Sequence, residues 1–491
     1  MTRTSPSGRF PSAARAVFLS PIVAVGCGAV AAALGAGGRA ELSLWFAVSA
    51  SVAVVALALA SSGGFNTLLV VFAVFHALYG LSGSFAAVYG APLQPIYTEP
   101  YEVSRFLLNY SLATIGLALG VLLLRSGRAV GVAGSEWSRS PRLLALYSIV
   151  LGSAASAMEV VNLVRVGGVP VLLEGKALYQ SLSADLPMNL PSDEVAMLAI
   201  AIMALAVGAS LKSGWPPRDR VPRLHMGAFA LTLLPLLAVA VWLGQRGLLL
   251  GWVLITLVGV TYGTSMRRIT FAMGTIALVV YLGMGLIYAS RGSRGAALYG
   301  GDWTAILKST LARQAVLQAI NPASNEFGAT LGNFSEYLKA GTQAPGLGKS
   351  YLVSLVLPIP SSLYPGRKPQ QIGYEFRDLV FPAEAERGSI AGTGYSSILE
   401  AYYNFREPGV LVVYALVGMV LVTVERYRAR SASFWFAVTY LMFLPSAVIF
   451  HRTAFGDAVV APAILNAAAV VILWVATSLL EGALARPQKA A

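Results

Sequence analysis

Ionisable side chains are costly at membrane depth, so the few that an oily chain keeps there are the first places to look for chemistry. The stretch ILEAYYNFREPG at 398–409 gathers two Glu, one Arg and three aromatics immediately before a long apolar run. On a helix, Glu400, Tyr403, Asn404 and Glu407 share one face by i, i+3, i+4, i+7 spacing, while Leu399, Tyr402 and Arg406 share another. The first face would offer a carboxylate to a bound molecule, with the aromatics stacking against sugar or lipid. The plainer alternative is an aromatic belt with solvated charges at a membrane interface. Pro408 suits the first turn of the span that follows.

Cations gather at the same level. Arg246, in WLGQRGLLL, sits at a short outward hairpin between two apolar runs, and Arg291 and Arg294, in SRGSRG, directly follow another. The glycines beside the latter pair let backbone N–H groups and guanidinium groups converge on one anion. His451 and Arg452 open a further outer loop. His76 lies in a span and His225 at a cytoplasmic edge, which leaves His451 as the histidine placed for outside chemistry. Glu159 lies in a span and is expected either to act there or to pair with a neighbouring arginine. For Arg246 the ordinary role is snorkelling to lipid headgroups, and for Arg291 and Arg294 it is that of a charged span end. Their chemical role would be phosphate binding, because the planar fork meets two oxygens at once. A lipid-linked diphosphate fits that role. Its head lies at the outer leaflet, its tail lies among the spans, and its diphosphate leaves without ATP. QAPGLGKS at 343–350 resembles a phosphate-binding loop, but Gln343 stands where that pattern wants Gly and no strand precedes it, so a nucleotide site is rejected. The lone Cys27 excludes an intrachain disulfide and a Cys-based metal site.

The elements that must position these residues follow from composition. The 491 residues are 56% hydrophobic and 12% charged, with mean hydropathy +0.69, against about 25% charge in a soluble domain. The fold class is therefore an all-α polytopic membrane protein. Runs of about 20 apolar residues predict twelve spans, near 17–36, 42–61, 65–89, 105–124, 143–163, 193–211, 224–243, 247–265, 269–289, 408–424, 433–450 and 459–480. Short loops rich in Lys and Arg stay in the cytoplasm. About half of the 35 basic residues fall in loops on one side, among them Arg125, Arg128, Arg139, Arg142, Arg426, Arg428 and Arg430, so both termini are expected to be cytoplasmic. This sorting, with attraction to anionic lipid, accounts for most of the +13 net charge and sets nucleic acid aside as a partner. Three regions result: 1–289 with nine spans, an extracytoplasmic loop at 290–407, and 408–491 with three spans and a tail. Inside the loop, YLVSLVLPIP at 351–360 is too short to span and reads as interfacial or re-entrant. The four prolines of PIPSSLYPGRKP at 358–369 forbid a continuous helix.

With this order of elements, the chain resembles the Wzy-type repeat-unit polymerases, the integral membrane O-antigen and exopolysaccharide polymerases. GQRGLLL at 244–250 is similar to the family's glycine-arginine element, PIPSSLYPGRKP to its Pro-rich segment, and GYSSILEAYYNF at 394–405 to its Glu-x-Tyr-x-Asn-Phe element. The resemblance implies transfer of a growing glycan from undecaprenyl diphosphate onto an incoming lipid-linked repeat unit, at the outer face of the bacterial cytoplasmic membrane. Arg246, Arg291, Arg294 and Arg452 would neutralise diphosphate, and Glu400 or His451 would take the acceptor proton. Tyr402, Tyr403, Asn404 and Lys368 would contact glycan or lipid. The chemistry calls for no metal, nucleotide or other cofactor, and a flippase and a chain-length regulator would be partners. Competing readings are an O-antigen ligase, a glycosyltransferase using polyprenyl-phosphate sugars, and a non-enzymatic lipid-glycan flippase or transporter. The long loop after span nine does not suit the six-plus-six plan usual for the last of these.

Overall fold

The computed structural model describes residues 11–62, 67–90, 98–124, 140–174, 179, 182, 190–211, 220–243, 245–262, 327–341, 345–356, 359, 372–382, 395–431 and 433–485. Every regular element among them is helical, which suits hydrocarbon: with no water to pair with, peptide groups must be satisfied within the protein, and a helix satisfies them within its own segment. The N-terminal part runs α1 (Pro11–Ala36), α2 (Ala40–Ser62), α3 (Leu68–Tyr89), α4 (Pro100–Leu123), α5 (Pro141–Arg165), the short α6 (Val169–Glu174) and α7 (Ser192–Leu211). It continues through α8 (Arg223–Thr232), α9 (Leu234–Trp242) and α10 (Arg246–Thr261). After a stretch outside the described residues come three short helices, α11 (Ala329–Lys339), α12 (Lys349–Val356) and α13 (Ile372–Val380). The long α14 (Ser397–Arg430), α15 (Phe434–Met442), α16 (Leu444–Ile449), a π turn at Gly456–Val460 and α17 (Ala461–Ala485) complete the chain.

Among the described residues, eight segments are long and apolar enough to cross a membrane, and a ninth if α8 and α9 form one span bent by 46°. The protein is a multi-pass membrane protein, but the described residues do not establish all twelve spans expected from the sequence. Proline accounts for part of the difference, because it removes a helix N–H and its ring crowds the preceding turn. Pro235 sits just past the bend between α8 and α9, and Pro445 just past the break between α15 and α16. The expected span 247–265 stops at Thr261, and 269–289 lies outside the described residues.

The centre is a tight crossing of α4 and α14, which run in the same direction. A Cβ on Gly120 would lie 2.0 Å from the Ala415 carbonyl oxygen, and one on Gly116 would lie 2.3 Å from that of Leu411. Only glycine at both positions lets the backbones approach so closely, the small-xxx-small device of membrane helices. Antiparallel to this pair, α3 begins where α14 ends. Its first N–H, from Leu68, donates to the Glu425 carboxylate at 2.8 Å, which Arg428 Nε also meets at 2.6 Å and the Tyr440 hydroxyl at 2.6 Å. At the opposite end, α11 docks on α3 and α4. Thr330 donates to the Tyr79 carbonyl at 2.6 Å, and the Ser335 hydroxyl donates to buried Glu102.

Candidate functional site

The site is assembled by a broken helix. In α14, Arg406 leaves the helical region (φ 58°, ψ −157°) and Pro408 has no N–H to offer. The break deprives the Tyr403 and Asn404 carbonyls of their usual partners four residues on. Backbone carbonyls rarely remain unpaired inside a protein, and these two instead accept from Gly346 N–H and Leu347 N–H, each at 3.0 Å. The approach is close enough that a Cβ on Gly346 would meet the Tyr403 ring at 2.5 Å. A turn through Leu347 (φ 46°) and Gly348 (φ 85°) then starts α12 with Ser350 facing the first segment of α14.

Glu400 lies where these elements meet, 1% exposed. Its Oε1 accepts from the Ser350 hydroxyl at 2.6 Å and its Oε2 from the Phe455 backbone N–H at 2.6 Å, at the entrance to the π turn and α17. Ser350 Oγ in turn accepts from Asn404 Nδ2 at 2.6 Å, and the same amide nitrogen reaches the Glu400 carbonyl at 2.8 Å. The carboxylate is thus fixed by one donor on each oxygen, and it complements the positive end of the helix that Phe455 opens. A carboxylate has about four acceptor positions, so this anchoring leaves capacity to take a hydroxyl proton. Two phenols outside the spans stand near it. Burial first, and then the Glu400 charge, raises the pKa of Tyr351 and holds that of Tyr395 well above its ordinary value. Tyr395 is buried, and its hydroxyl has no hydrogen-bond partner among the described residues.

The two faces read from the sequence are only partly kept. Glu400 and Asn404 do point the same way, toward Ser350, and Arg406 does lie with Tyr402, its guanidinium carbon 5.2 Å from the ring centre. Glu407 departs from the Glu400 face, because the break at Arg406 intervenes, and it forms an ion pair with Arg105 of α4. Tyr402 packs on Phe334 and Tyr337 of α11, and Tyr403 on Tyr337 and Tyr395, so these rings form an internal aromatic cluster.

His451 does not open onto the outside. It is buried in the turn after α16, 4.4 Å from the Phe72 ring and 5.4 Å from the His76 ring, with Nε2 3.3 Å from the Phe72 carbonyl oxygen. Burial first, and then His76, holds its pKa well below the usual histidine value. Arg452 is half-buried in the same turn. Arg246 is the first residue of α10, a placement settled by the backbone alone, while Arg291, Arg294 and Lys368 lie outside the described residues. Among the described residues, Glu159 is held by the hydroxyls of Tyr179 (3.1 Å) and Ser192 (2.7 Å). Among the described residues, no three His, Cys, Asp or Glu side chains gather closely enough to hold a metal ion.

Ser350 was missed by sequence reasoning for a definite reason. It ends the glycine-rich run that fails as a nucleotide loop, and rejecting the nucleotide left the run without a role. The available signal was Pro408, which predicts unpaired carbonyls at 403–404 and therefore a segment that must come and satisfy them.

Residues 349–482 match the family model of the O-antigen polysaccharide polymerase Wzy. The match begins at the first residue of α12 and ends within α17, so Ser350, Glu400, Asn404, His451, Arg452 and Phe455 all fall inside it. It bears out the Wzy-type resemblance and supports an O-antigen polymerase role, of membrane glycosyltransferase type, in broad terms. No curated protein and no solved structure matches the chain.

Proposed function

We propose that this chain, with its Wzy-type segment at 349–482, transfers a growing glycan from undecaprenyl diphosphate onto an incoming lipid-linked repeat unit at the outer face of the bacterial cytoplasmic membrane. The observation that carries the reading is the buried Glu400 carboxylate, held from both sides by Ser350 and Phe455 inside the matched stretch. Glu400 takes the proton of the acceptor hydroxyl as the glycosidic bond forms and the diphosphate leaves. Arg246, Arg291, Arg294 and Arg452 stabilise the charge that grows on the departing diphosphate. Tyr402, Tyr403, Asn404 and Lys368 hold glycan or lipid. Both candidate bases are buried, and Glu400 has the better support because it lies in the stretch resembling the family's Glu-x-Tyr-x-Asn-Phe element and each of its oxygens is oriented by a donor. The reaction as written uses no metal and no nucleotide, and a flippase and a chain-length regulator would act before and beside it.

The outward orientation of the site and the cytoplasmic termini draw support from the parallel course of α4 and α14. Both helices begin at the Glu400 end, so the C-terminal end of α4, which a basic stretch follows in the sequence, and the basic end of α14 lie together at the other. Residues 290–407 and the flanking membrane regions 1–289 and 408–491 keep the roles assigned from the sequence.

The test is polymer formation from purified lipid-linked repeat units by the reconstituted chain, without added nucleotide or metal. Products longer than one repeat are expected. Transfer to a lipid A core acceptor alone would favour the ligase, and movement of lipid-linked glycan without bond formation would favour the flippase. Arg246→Ala should lower the rate by about 10²–10³-fold at equal protein level, the usual loss for one donor to a developing anion, with Lys rescuing partly because it lacks the fork. A parent rate for Arg246→Ala would return that residue to snorkelling.

A further inference from the structure

Helix α12 has its polarity inside out. Ser350 and Ser354, one helical turn apart, are 0% and 2% exposed, whereas Leu352 and Leu355 on its outer side are 65% and 59% exposed and Leu347 just before it is 79% exposed. Ile359, in the bend after the helix, is exposed as well, at 39%. A helix that packs on a protein in water shows the opposite arrangement, with leucines inward and serines outward. The reversed pattern is the one adopted where the surroundings are hydrocarbon and the protein interior supplies the polar partners.

The neighbours of α12 point the same way. Its inner side packs on the π turn that opens the Gly456–Val475 candidate span, so closely that a Cβ on Gly456 would lie 2.7 Å from Ser354 Oγ. That span is itself largely uncovered by protein, with Ile464, Ile472 and Trp474 exposed. Beside it, Tyr351 stacks on half-exposed Phe405 with ring centres 6.2 Å apart. The one charge on α12, Lys349, stands at its first residue and reaches out to Glu375, 3.1 Å away. A cation at the end of a short apolar helix is placed to snorkel to headgroups.

We propose that the Leu352 and Leu355 face of α12, with Leu347 just before the helix and Ile359 just after it, lies in the acyl region of the lipid bilayer, making α12 a membrane-embedded helix that does not cross. The partner is bilayer hydrocarbon. The placement rests on the polarity of α12 and not on the polymerase reading. One consequence does rest on that reading: Ser350 and Glu400 then lie about one helix diameter, roughly 10 Å, from lipid. A polyprenyl-anchored substrate would reach the carboxylate while its tail stays in the bilayer.

The experiment is depth-resolved quenching on the full chain. In a Cys27→Ser background, a solvatochromic fluorophore is attached at Leu352→Cys or Leu355→Cys, and at Lys339→Cys on α11 as a contrast. Each variant is reconstituted in phosphatidylcholine–phosphatidylglycerol vesicles carrying acyl-chain nitroxides. Labels at 352 and 355 should be quenched at least twofold more by the acyl nitroxide than the label at 339, and should be shielded from aqueous iodide. Iodide quenching at 352 and 355 equal to that at 339, with no effect of the nitroxide, would overturn the proposal. The unaltered chain gives a second measurement that no folding defect can confound. Vesicles containing a diazirine phospholipid should label residues 347–359 as well as the exposed Ile472 face of α17. Labelling of α17 alone would overturn the proposal. Neither measurement reads polymerisation, so loss of the catalytic reading and loss of the lipid placement are separate results.

Discussion

Replacing Glu400 by Gln separates a reacting carboxylate from a structural pin, because the surrounding geometry tells what Gln can keep. The two oxygens accept from Ser350 Oγ and from Phe455 N–H, each at 2.6 Å. A Gln in the same rotamer can keep its carbonyl on the Phe455 N–H and turn its amide toward Ser350. Ser350 Oγ already accepts from Asn404, but a hydroxyl has a second lone pair and a rotatable proton, so the network re-forms with one donor reversed. The loss is the charge assistance, about 1.5–3 kcal/mol at most, felt as a drop of a few degrees in unfolding temperature. If Glu400 is the base, removing its charge should instead cost about 10²–10⁴-fold in rate, or about 3–5 kcal/mol in barrier. Ser350→Ala is the intermediate case. It deletes one of the two donors but leaves the charge, and should cost about tenfold in rate, the kinetic equivalent of one net hydrogen bond. The assay is polymer length and initial rate from lipid-linked repeat units with each variant reconstituted at equal density, beside thermal unfolding in detergent. A Glu400→Gln protein that polymerises at the parent rate while unfolding at lower temperature would refute the base assignment and leave Glu400 as the pin between α14, α12 and α17.

Three other perturbations follow from the same structure. Gly120→Val should break the α4–α14 crossing, since a Cβ there would sit 2.0 Å from the Ala415 carbonyl; a loss of about 1–3 kcal/mol or more from overpacking, seen in thermal unfolding, is expected, with Gly120→Ala milder than Val. Tyr395→Phe removes a buried hydroxyl that has no partner among the described residues, so its unfolding temperature should stay level or rise, and a fall of several degrees would show that the hydroxyl is satisfied in the native protein. Glu425→Gln should destabilise by about 3–5 kcal/mol, because it leaves Arg428 buried beside Tyr262 and Tyr440 without its counter-charge. Adding Arg428→Met should recover much of that loss, and a double variant no more stable than Glu425→Gln would count against a paired-charge role.

The sequence by itself determined the solvent and therefore the class of structure. With 12% charged residues and continuous apolar runs of about 20 residues, twice the length of a barrel strand, helices in a bilayer are the way this chain can satisfy its backbone. It also placed Glu400 beside Asn404, because helical periodicity is a local property, and it marked 351–360 as apolar yet too short to span. The number of spans was less legible. Hydropathy sums over a window and does not register how Pro235 and Pro445 divide an apolar run. What only the tertiary structure decided were relations between distant residues: the Ser350 hydroxyl on Glu400 fifty positions away, Glu407 turned to Arg105, and Arg428 drawn from an apparent cytoplasmic loop into a buried pair with Glu425. His451 is the clearest case. Its sequence neighbours suggest an outer loop, but α3 crosses behind it and encloses it with Phe72, His76 and Tyr79. The physical reason is common to all of these. Periodicity and propensity act over one or two helical turns, while burial and pairing depend on which helices cross, and at the centre that crossing is set by the Gly116 and Gly120 contacts with α14.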